Sequence, residues 1–282
     1  MQIAFEDRGM IVGFNESSVL LIADLHLGFE KDLEERGVEV PSQHGQMITR
    51  IENLVRKHSV STLYIVGDVK HSIFPDVSYN WETIPSFMEA LAELTDIVII
   101  PGNHDGDLET FLPRSVQLEA PTGISVSGSE ERLGVLHGHA WPSIDVLEAD
   151  VIVCGHNHPV IRRLKDASVK DLGRGGRIRS GRTVPAVVRS RLDRNCVKKH
   201  LRLQEDSDES HATLVTLPTF NELFRGVAVN SPESIFYGPL YENECVSLED
   251  SQVLSTTGIF LGDVSWLREQ FNEMIKSRQR SK

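Results

Sequence analysis

The chain has 282 residues, 40% of them hydrophobic, which is enough for a sizeable core in one large domain or two small ones. Its net charge of −12 at pH 7 makes the molecule as a whole repel polyanions. No stretch reaches the roughly 20 consecutive apolar residues of a membrane span, and the start MQIAFEDRGM lacks the order of a signal peptide, so we predict a cytoplasmic protein without a membrane partner.

The first half of the chain alternates between short apolar runs and amphipathic stretches, as βαβ units do. Strands are predicted at SSVLLIAD, TLYIVGD and DIVIIPGN, and then, more closely spaced, at GISVSG, RLGVLHGH and DVIVCGHNH. Helices are predicted at QHGQMITRIENLVRKH and WETIPSFMEALAEL, whose apolar residues recur at helical spacing. Near-continuous apolar runs such as Ile97 to Ile100 are typical of strands covered on both faces, which favours an α/β fold.

The amino-acid composition changes after Pro159, where the second half of the chain begins. Residues 165–182, KDASVKDLGRGGRIRSGR, are rich in Gly, Ser and Arg and predict an exposed basic insertion. TVPAVVRSRL, NCVKKHLRL and HATLVTLP alternate as strands do, and GIFLGDVSWLREQFNEMI predicts a last strand and a terminal helix. Residues 277–282 predict a frayed tail, and residues 1–282 are interpreted as one domain.

Basic residues are concentrated between Ile161 and Arg202, where 14 Lys or Arg stand against three acids. A basic stripe on an acidic body is a candidate contact for a phosphate backbone. The alternative is a solvated surface segment without a partner.

The three cysteines, Cys154, Cys196 and Cys245, are far apart and lack CxxC spacing. This argues against a disulfide framework and against a thiolate zinc site. All three are therefore predicted to be buried or incidental thiols.

Side chains able to bind a metal follow five successive apolar runs. They are Asp24 and His26 after LLIA, Asp68 after LYIV, Asn103 after IVII, His137 after GVL, and His156 and His158 after VIVC. Each alone is more often a turn or a helix cap. The carboxyl ends of parallel strands share one edge of a sheet, however, so five such tips in order predict a common site.

These seven donors are carboxylate, imidazole and amide groups without a thiolate, a set suited to Mn²⁺, Fe²⁺ or Zn²⁺. Their number suits two ions roughly 3.5 to 4 Å apart, with a carboxylate able to bridge them. Such a pair can polarise a phosphoryl oxygen and hold a hydroxide for in-line attack.

Together, Asp24-x-His26, Gly67-Asp68, Gly102-Asn103-His104-Asp105, His137-Gly138-His139 and Gly155-His156-x-His158 resemble the signature of the calcineurin-like metallophosphoesterases. The longer stretches ADLHLGFEKDLEERG, GDVKHS, GHNHP and LPTFNELFRGVAVN are similar to an archaeal branch related to the SbcD and Mre11 nucleases. The resemblance implies a four-layer α-β-β-α sandwich of two mixed sheets with helices outside.

The resemblance also implies roles for individual residues. One metal would be held by Asp24, His26 and His158, the other by Asn103, His137 and His156, and Asp68 would bridge them. His104 would face the substrate, as proton donor to the leaving oxygen or as a stabiliser of the phosphoryl charge.

Two positions depart from the family pattern. Other members have a different residue at the position of His139, so His137 is the expected ligand and His139 a supporting or substitute residue. Many members carry GDxxD, whose second aspartate orients the catalytic histidine, whereas this chain has His71 at that position. Asp105 or another acid takes that part, or His104 has a less basic ring, or His71 contacts the substrate phosphate.

The leading hypothesis is a metal-dependent phosphoesterase, a hydrolase of ester bonds with two divalent ions. Mn²⁺ is the first choice, with Fe²⁺, Zn²⁺, Ni²⁺ and Co²⁺ as alternatives. The substrate is expected to be a phosphodiester, in DNA, RNA or a nucleotide, and the SbcD likeness favours a nuclease and a homodimer. A phosphomonoesterase, a small-nucleotide phosphohydrolase, a mononuclear hydrolase and a non-catalytic nucleic-acid or partner-binding module with a structural metal site remain alternatives.

Overall fold

The computed structural model of the chain describes residues 1–14, 17–73, 78–127, 131–163, 183–208 and 210–280, with 127 and 278–280 described by their backbone alone. The predicted basic insertion at 165–182 and the last two residues of the predicted tail lie outside these ranges. Among the described helices, none is both long and apolar enough to cross a bilayer.

The first sheet lies in the amino-terminal part of the chain. Within the described residues it is formed, in this spatial order, by β1 (Gln2–Glu6), β2 (Gly9–Phe14), β3 (Ser17–Ala23), β4 (Val60–Val66), β5 (Asp96–Ile100) and β6 (Val116–Leu118). β1 to β3 pair antiparallel, whereas β3 to β6 pair parallel. The sheet is therefore mixed, and the carboxyl ends of β3, β4 and β5 lie at one edge.

The second sheet collects the later strands. Within the described residues these are β7 (Ile124–Ser127), β8 (Arg132–Val135), β9 (Val151–Cys154), β10 (Pro159–Arg162), β11 (Thr183–Asp193), β12 (His211–Thr216), β13 (Val227–Ala228), β14 (Gln252–Ser255) and β15 (Phe260–Asp263). Their order is β13-β10-β11-β12-β9-β8-β7, with β14 paired to β11 and β15 to β14. β8, β9 and β12 pair parallel, as do β10 and β13, and the other pairs are antiparallel.

The helices cover the outer faces of the sheets. They are α1 (Phe29–Glu35), α2 (His44–His58), α3 (Ser78–Ala92), α4 (Ile144–Leu147), α5 (Arg194–His200), α6 (Pro239–Glu242) and α7 (Val264–Arg280), with a 3-10 turn at Leu108–Phe111. Apolar residues of α2 and α3, such as Ile51 and Phe87, pack on the first sheet. Val197 of α5 and Val264 of α7 pack on the outer face of the second sheet.

Alternate residues of each central strand enter different cores, because successive side chains of a strand point to opposite faces. In β3, Leu20 and Ile22 meet the helices, whereas Leu21 and Ala23 meet Val153 and other residues of the second sheet. The two sheets therefore pack against each other, and the predicted four-layer sandwich is confirmed.

Residues 195–203, predicted as a strand, form instead most of α5 and the turn that follows it. The Asp193 side chain accepts a hydrogen bond from the Cys196 amide at 3.1 Å, which caps the first turn of the helix. Val197 is buried and Leu201, four residues on, packs against the same core, which is helical spacing. At the carboxyl terminus, α7 continues through Arg280, so 277–280 are helical where a frayed tail was predicted.

Cys196 and Cys245 form a disulfide across 49 residues, whereas Cys154 is free and buried. The prediction of three unpaired thiols is therefore wrong for two of them. The Asp193 amide donates to the Cys245 carbonyl at 2.9 Å, which brings α5 beside the segment after α6. A contact between such distant segments leaves no spacing signature in the sequence.

We expect this disulfide to contribute about 4 kcal/mol to the free energy of unfolding, because it closes a long loop in the unfolded chain. Urea denaturation with and without a reductant should show the lower midpoint under reducing conditions. The double variant Cys196→Ser/Cys245→Ser should lose the response to reductant, and Cys154→Ala should keep it. Equal midpoints for the wild type in both conditions would contradict this expectation.

Candidate metal centre

The predicted donors meet where the two sheets share one edge. Asp24 follows β3 and Asp68 follows β4 in the first sheet, while His137 follows β8 and His156 follows β9 in the second. The His156 amide donates to both carboxylate oxygens of Asp24 at 3.2 Å, and His137 Nδ1 donates to the Val66 carbonyl at 2.9 Å. These bonds join the strand ends of one sheet to those of the other.

One group of donors contains Asp24, His26, Asp68 and His158, with one ligand atom of each within 4.8 Å of the others. His158 Nε2 lies 3.2 Å from Asp24 Oδ1 and 3.4 Å from His26 Nε2. His26 Nε2 lies 3.7 Å from Asp68 Oδ2. All four residues are buried or nearly so, so the group is shielded from bulk water.

A second group contains Asp68, His137 and His156, again with ligand atoms within 4.8 Å of one another. His137 Nε2 lies 3.5 Å from Asp68 Oδ2. Asp68 belongs to both groups, so its carboxylate lies between them. A further group of Cys196, His200 and Cys245 has its two sulfurs joined to each other and is not a metal site.

The polar atoms of these groups fit divalent cations. Among the described residues, His137 Nε2 is buried without a hydrogen-bond partner, which is costly unless something else satisfies the nitrogen. Burial by itself would raise the pKa of Asp68 and lower that of His137. Their mutual attraction outweighs burial, so the Asp68 pKa falls and the His137 pKa rises to about 9. Positive charge between these two side chains, from a proton or a cation, would therefore stabilise the pair.

The backbone of the donors is turned into an unusual conformation. Asp24, His26, Asp68, His156 and His158 have φ angles of 59°, 44°, 50°, 68° and 43°, in the left-handed region. Each costs roughly 1 kcal/mol or more for a residue with a Cβ atom. Strained residues clustered at one place are typical of functional sites.

Two glycines make room for this arrangement. A Cβ atom at Gly102 would lie 2.1 Å from Asp68 Oδ1, and one at Gly67, whose φ is +76°, would lie 2.2 Å from His137 Nδ1. Any larger side chain at these positions would displace a donor.

Asn103 lies on the loop after β5 and is exposed. The amide of the next residue, His104, donates to Asp68 Oδ1 at 2.9 Å, so the Asn103–His104 peptide lies against the carboxylate shared by both groups. Its predicted role as a ligand stays a prediction.

His104 is oriented by a backbone carbonyl. Its Nδ1 lies 2.6 Å from the carbonyl oxygen of His71, which can only accept, so Nδ1 carries the proton. Nε2 lies 4.0 Å from Asp68 Oδ2 on a partly exposed side chain. Asp105 was the other candidate for orienting His104. Its carboxylate instead accepts hydrogen bonds from the amides of Gly102 and Lys70 at 2.8 and 3.2 Å and thus stabilises the loop. Burial and the nearby charge of Asp68 raise the Asp105 pKa to about 6.

The His71 ring lies beside the donor groups, with its centroid 5.5 Å from that of His26 and 5.9 Å from that of His104. Its Nδ1 is buried without a hydrogen-bond partner in the described part of the chain, and a ring nitrogen of His71 lies within 4.8 Å of one of His26 and one of His104. His139 lies with its ring 5.2 Å from that of His137 but belongs to neither donor group. Burial and the charge of His137 lower the His139 pKa to about 4.

Two residues that complete the centre were not predicted as part of it. Phe224 stacks on His26 with ring centroids 4.0 Å apart and meets His158 edge-on at 5.0 Å. Asn157, between the two ligand histidines, is buried and binds the backbone of Tyr237 twice, accepting from its amide at 2.7 Å and donating to its carbonyl at 3.1 Å. An isolated Phe and an Asn within a turn carry no sequence signal for these contacts.

Two mixed sheets with outer helices, and adjoining nitrogen and oxygen donors at their common edge, define an α/β protein with a candidate metal centre. A family model described as calcineurin-like phosphoesterase matches residues 17–160, about half of the chain. The chain belongs to the calcineurin-like phosphoesterase family, as the sequence motifs predicted.

Solved structures similar to this chain are distant from it. The nuclease MPE of Pseudomonas putida is 17% identical, with a TM-score of 0.48, covering 90% of this chain and 100% of its own. The AQ665 protein of Aquifex aeolicus is 17% identical, with a TM-score of 0.35 and coverage of 54% and 82%. An archaeal phosphodiesterase is 18% identical, with a TM-score of 0.32 and coverage of 52% and 78%. At this distance the likeness assigns neither a substrate nor residue roles. No curated protein matches the chain in sequence.

Proposed function

We propose that this protein hydrolyses phosphodiesters with two divalent cations, with Mn²⁺ as the first candidate. The observation that carries the proposal is the position of Asp68, whose carboxylate belongs to both donor groups and lies 4.0 Å from His104 Nε2. A shared carboxylate is the arrangement by which two-metal hydrolases hold their ions together.

The histidines and carboxylates are assigned to the two cations as the donor groups divide them, and Asn103 is assigned from the family resemblance. Asp24, His26 and His158 would hold one cation, His137, His156 and Asn103 the other, and Asp68 both. When bound, such a pair places positive charge beside a phosphoryl oxygen and makes hydroxide accessible near neutral pH. The chain itself fixes the donors, because the hydrogen bonds between the two sheets and the left-handed backbone hold their side chains in place.

His104 is proposed to act on the leaving group. Its Nδ1–H bond to the His71 carbonyl fixes the ring and leaves Nε2 as the atom that faces Asp68. In the imidazolium form, Nε2 donates a proton to the leaving oxygen as the ester bond breaks. The orienting acceptor is neutral, so the ring receives no carboxylate support of the kind common in the family pattern.

The charge of the site favours a diester over a monoester. The side chains of the two donor groups are histidines and carboxylates, and the basic residue that follows Asp68 in the same segment, Lys70, is engaged by backbone carbonyls. Lys70 is buried and donates to the carbonyls of Ser72 and Ile73 at 3.0 and 2.9 Å. A phosphomonoester dianion is commonly bound by arginine forks, whereas a diester carries a single negative charge.

The test is a matrix of metals and substrates. Metal-free protein would be assayed with Mn²⁺, Fe²⁺, Co²⁺, Ni²⁺ and Zn²⁺ against bis-p-nitrophenyl phosphate, p-nitrophenyl phosphate, 2′,3′-cyclic nucleotides, and single- and double-stranded DNA. We expect chelation to reduce turnover at least about a hundredfold and added Mn²⁺ to restore it. For the diester we expect a kcat/KM about tenfold or more above that for the monoester.

Each alternative has its own outcome in this matrix. Turnover that survives exhaustive chelation would contradict the metal mechanism. A higher kcat/KM for the monoester would contradict the substrate class. Absence of turnover with every metal, in a protein that remains folded by circular dichroism, would favour a non-catalytic binding module.

A further inference from the structure

We propose that a groove beside the metal centre binds the single-stranded nucleic acid that flanks the scissile phosphodiester. This side groove has a volume of about 570 Å³. One wall is formed by the end of β10 and the start of β11, and the other by the segments 225–228 and 233–237. Arg162, Arg225, Ile235 and Tyr237 are among its lining residues. The inference rests on the proposed function and adds the class of substrate and the residues that recognise it.

The side groove is continuous with the metal centre through its backbone. Arg225 directly follows Phe224, which stacks on the ligand His26 at 4.0 Å. Gly226 lies so close to the ligand His158 that a Cβ atom would be 1.7 Å from its carbonyl oxygen. Tyr237, at the other side, is bound through its backbone to Asn157, which stands between the ligands His156 and His158. A single nucleic-acid strand lying in the side groove could therefore be continuous with a phosphate bound at the metal centre.

The charge of the side groove is opposite to that of the molecule. Among the described residues that line it, Arg162 and Arg225 are the two cations and Glu233 is the acid, in a chain whose net charge is −12. Arg162 Nε is buried and has no hydrogen-bond partner among the residues that the structure describes, and the Arg162 backbone is held by Asn230 at 2.9 and 3.0 Å. A guanidinium that lines a groove from a fixed backbone suits a phosphate oxygen.

Two described cations at the other end of the basic stripe, Arg194 and Lys198, serve the fold. Arg194 donates to the carbonyls of Leu147, Ala149 and His211, and Lys198 pairs with Asp206 at 2.6 Å. These two cations are engaged within the chain, whereas Arg162, near the beginning of the stripe, lines the side groove.

Besides the two arginines, the side groove has an exposed aromatic ring. The Tyr237 side chain is 53% exposed and that of Ile235 is 60% exposed, yet the backbone of Tyr237 is fixed by Asn157. An exposed ring on a rigid backbone, beside two arginines, is the combination by which proteins stack unpaired bases and follow their phosphates. The volume is in the range of pockets for a small organic molecule, so it suits a nucleotide or two of an unpaired strand.

The experiment measures binding separately from hydrolysis. A fluorescein-labelled thymidine 12-mer would be titrated with the full chain in the presence of chelator, and its Kd followed by fluorescence anisotropy at several salt concentrations. We expect Tyr237→Ala to raise Kd about tenfold and Tyr237→Phe to leave it near the wild-type value. Arg162→Gln and Arg225→Gln should each raise Kd several-fold and reduce the slope of log Kd against log salt by about 0.7.

Arg56→Gln is the matched control. Arg56 is an exposed arginine in the last turn of α2, at the end from which the chain enters β4 and hence at the sheet edge opposite the metal centre. The same loss of charge there should leave Kd unchanged. A duplex of the same sequence should bind several-fold more weakly, and a uridine 12-mer run in parallel identifies whether DNA or RNA is the better ligand.

Several results would overturn the inference. They are wild-type Kd values for all the groove variants, equal effects of Arg56→Gln and Arg225→Gln, equal affinity for duplex and single strand, or binding of neither 12-mer. Because the titration contains chelator, binding lost through the groove variants supports the inference even if no hydrolysis is found. Metal-dependent hydrolysis of bis-p-nitrophenyl phosphate would likewise stand if the side groove failed.

Discussion

Asp68→Asn is expected to reduce turnover of a phosphodiester on the order of 10³-fold or more. The two donor groups have this carboxylate in common, so the substitution removes an anionic ligand from both. An amide lacks the negative charge that attracts two cations, and the ions account for several kcal/mol of transition-state stabilisation, which corresponds to about a thousandfold in rate. Bound metal should fall from two per chain to one or fewer.

Turnover of bis-p-nitrophenyl phosphate with Mn²⁺ and metal content by mass spectrometry test this expectation together. Asp107→Asn is the control, since Asp107 is exposed on the same loop as His104 and belongs to neither donor group. Two bound metals and turnover within tenfold of wild type in Asp68→Asn would contradict the bridging role.

His104→Ala is expected to reduce kcat by about 10³-fold while two metals remain bound, because proton transfer by a positioned side chain contributes of that order. The reason lies in the position of Nε2, which is 4.0 Å from Asp68 Oδ2 and belongs to a partly exposed ring. The loss should be larger for a nucleotide ester than for bis-p-nitrophenyl phosphate, since an alkoxide needs a proton to leave and p-nitrophenolate does not.

The His58→Ala variant provides the comparison, because His58 lies at the end of α2 and pairs with Glu6 at 3.0 Å, away from the centre. Its turnover should equal that of the wild type. Equal losses for both leaving groups in His104→Ala would contradict proton donation, and loss of metal together with activity would indicate that His104 holds the site together.

The sequence predicted those parts of the site that depend on strand ends. Asp24, Asp68 and His156 each follow an apolar run, and the carboxyl edge of a sheet brings such residues together whatever the details of the loops. The helices α2 and α3 were predicted for a similar reason, because the spacing of their apolar residues is a local property. Family resemblance supplied the second sheet and the four layers.

Contacts that depend on distant segments could not be predicted. The group that orients the His104 ring is the backbone carbonyl of His71. Because every residue has such a carbonyl, no side chain in the sequence could indicate this contact. Phe224 reaches His26 across about two hundred residues of chain, and the disulfide of Cys196 with Cys245 joins segments 49 residues apart in the sequence. The α5 helix was missed because an alternating pattern of so few residues also fits helical spacing.

The left-handed backbone at five donors has a thermodynamic consequence. These residues adopt a backbone conformation that is unfavourable in a short peptide of the same sequence. The free energy that stabilises this conformation must therefore come from elsewhere in the molecule. Its source is the apolar contact between the two sheets, where Ala23 and Val66 immediately precede Asp24 and Gly67-Asp68. Loosening that interior would let the turns relax, so the donor side chains would separate before the fold as a whole was lost.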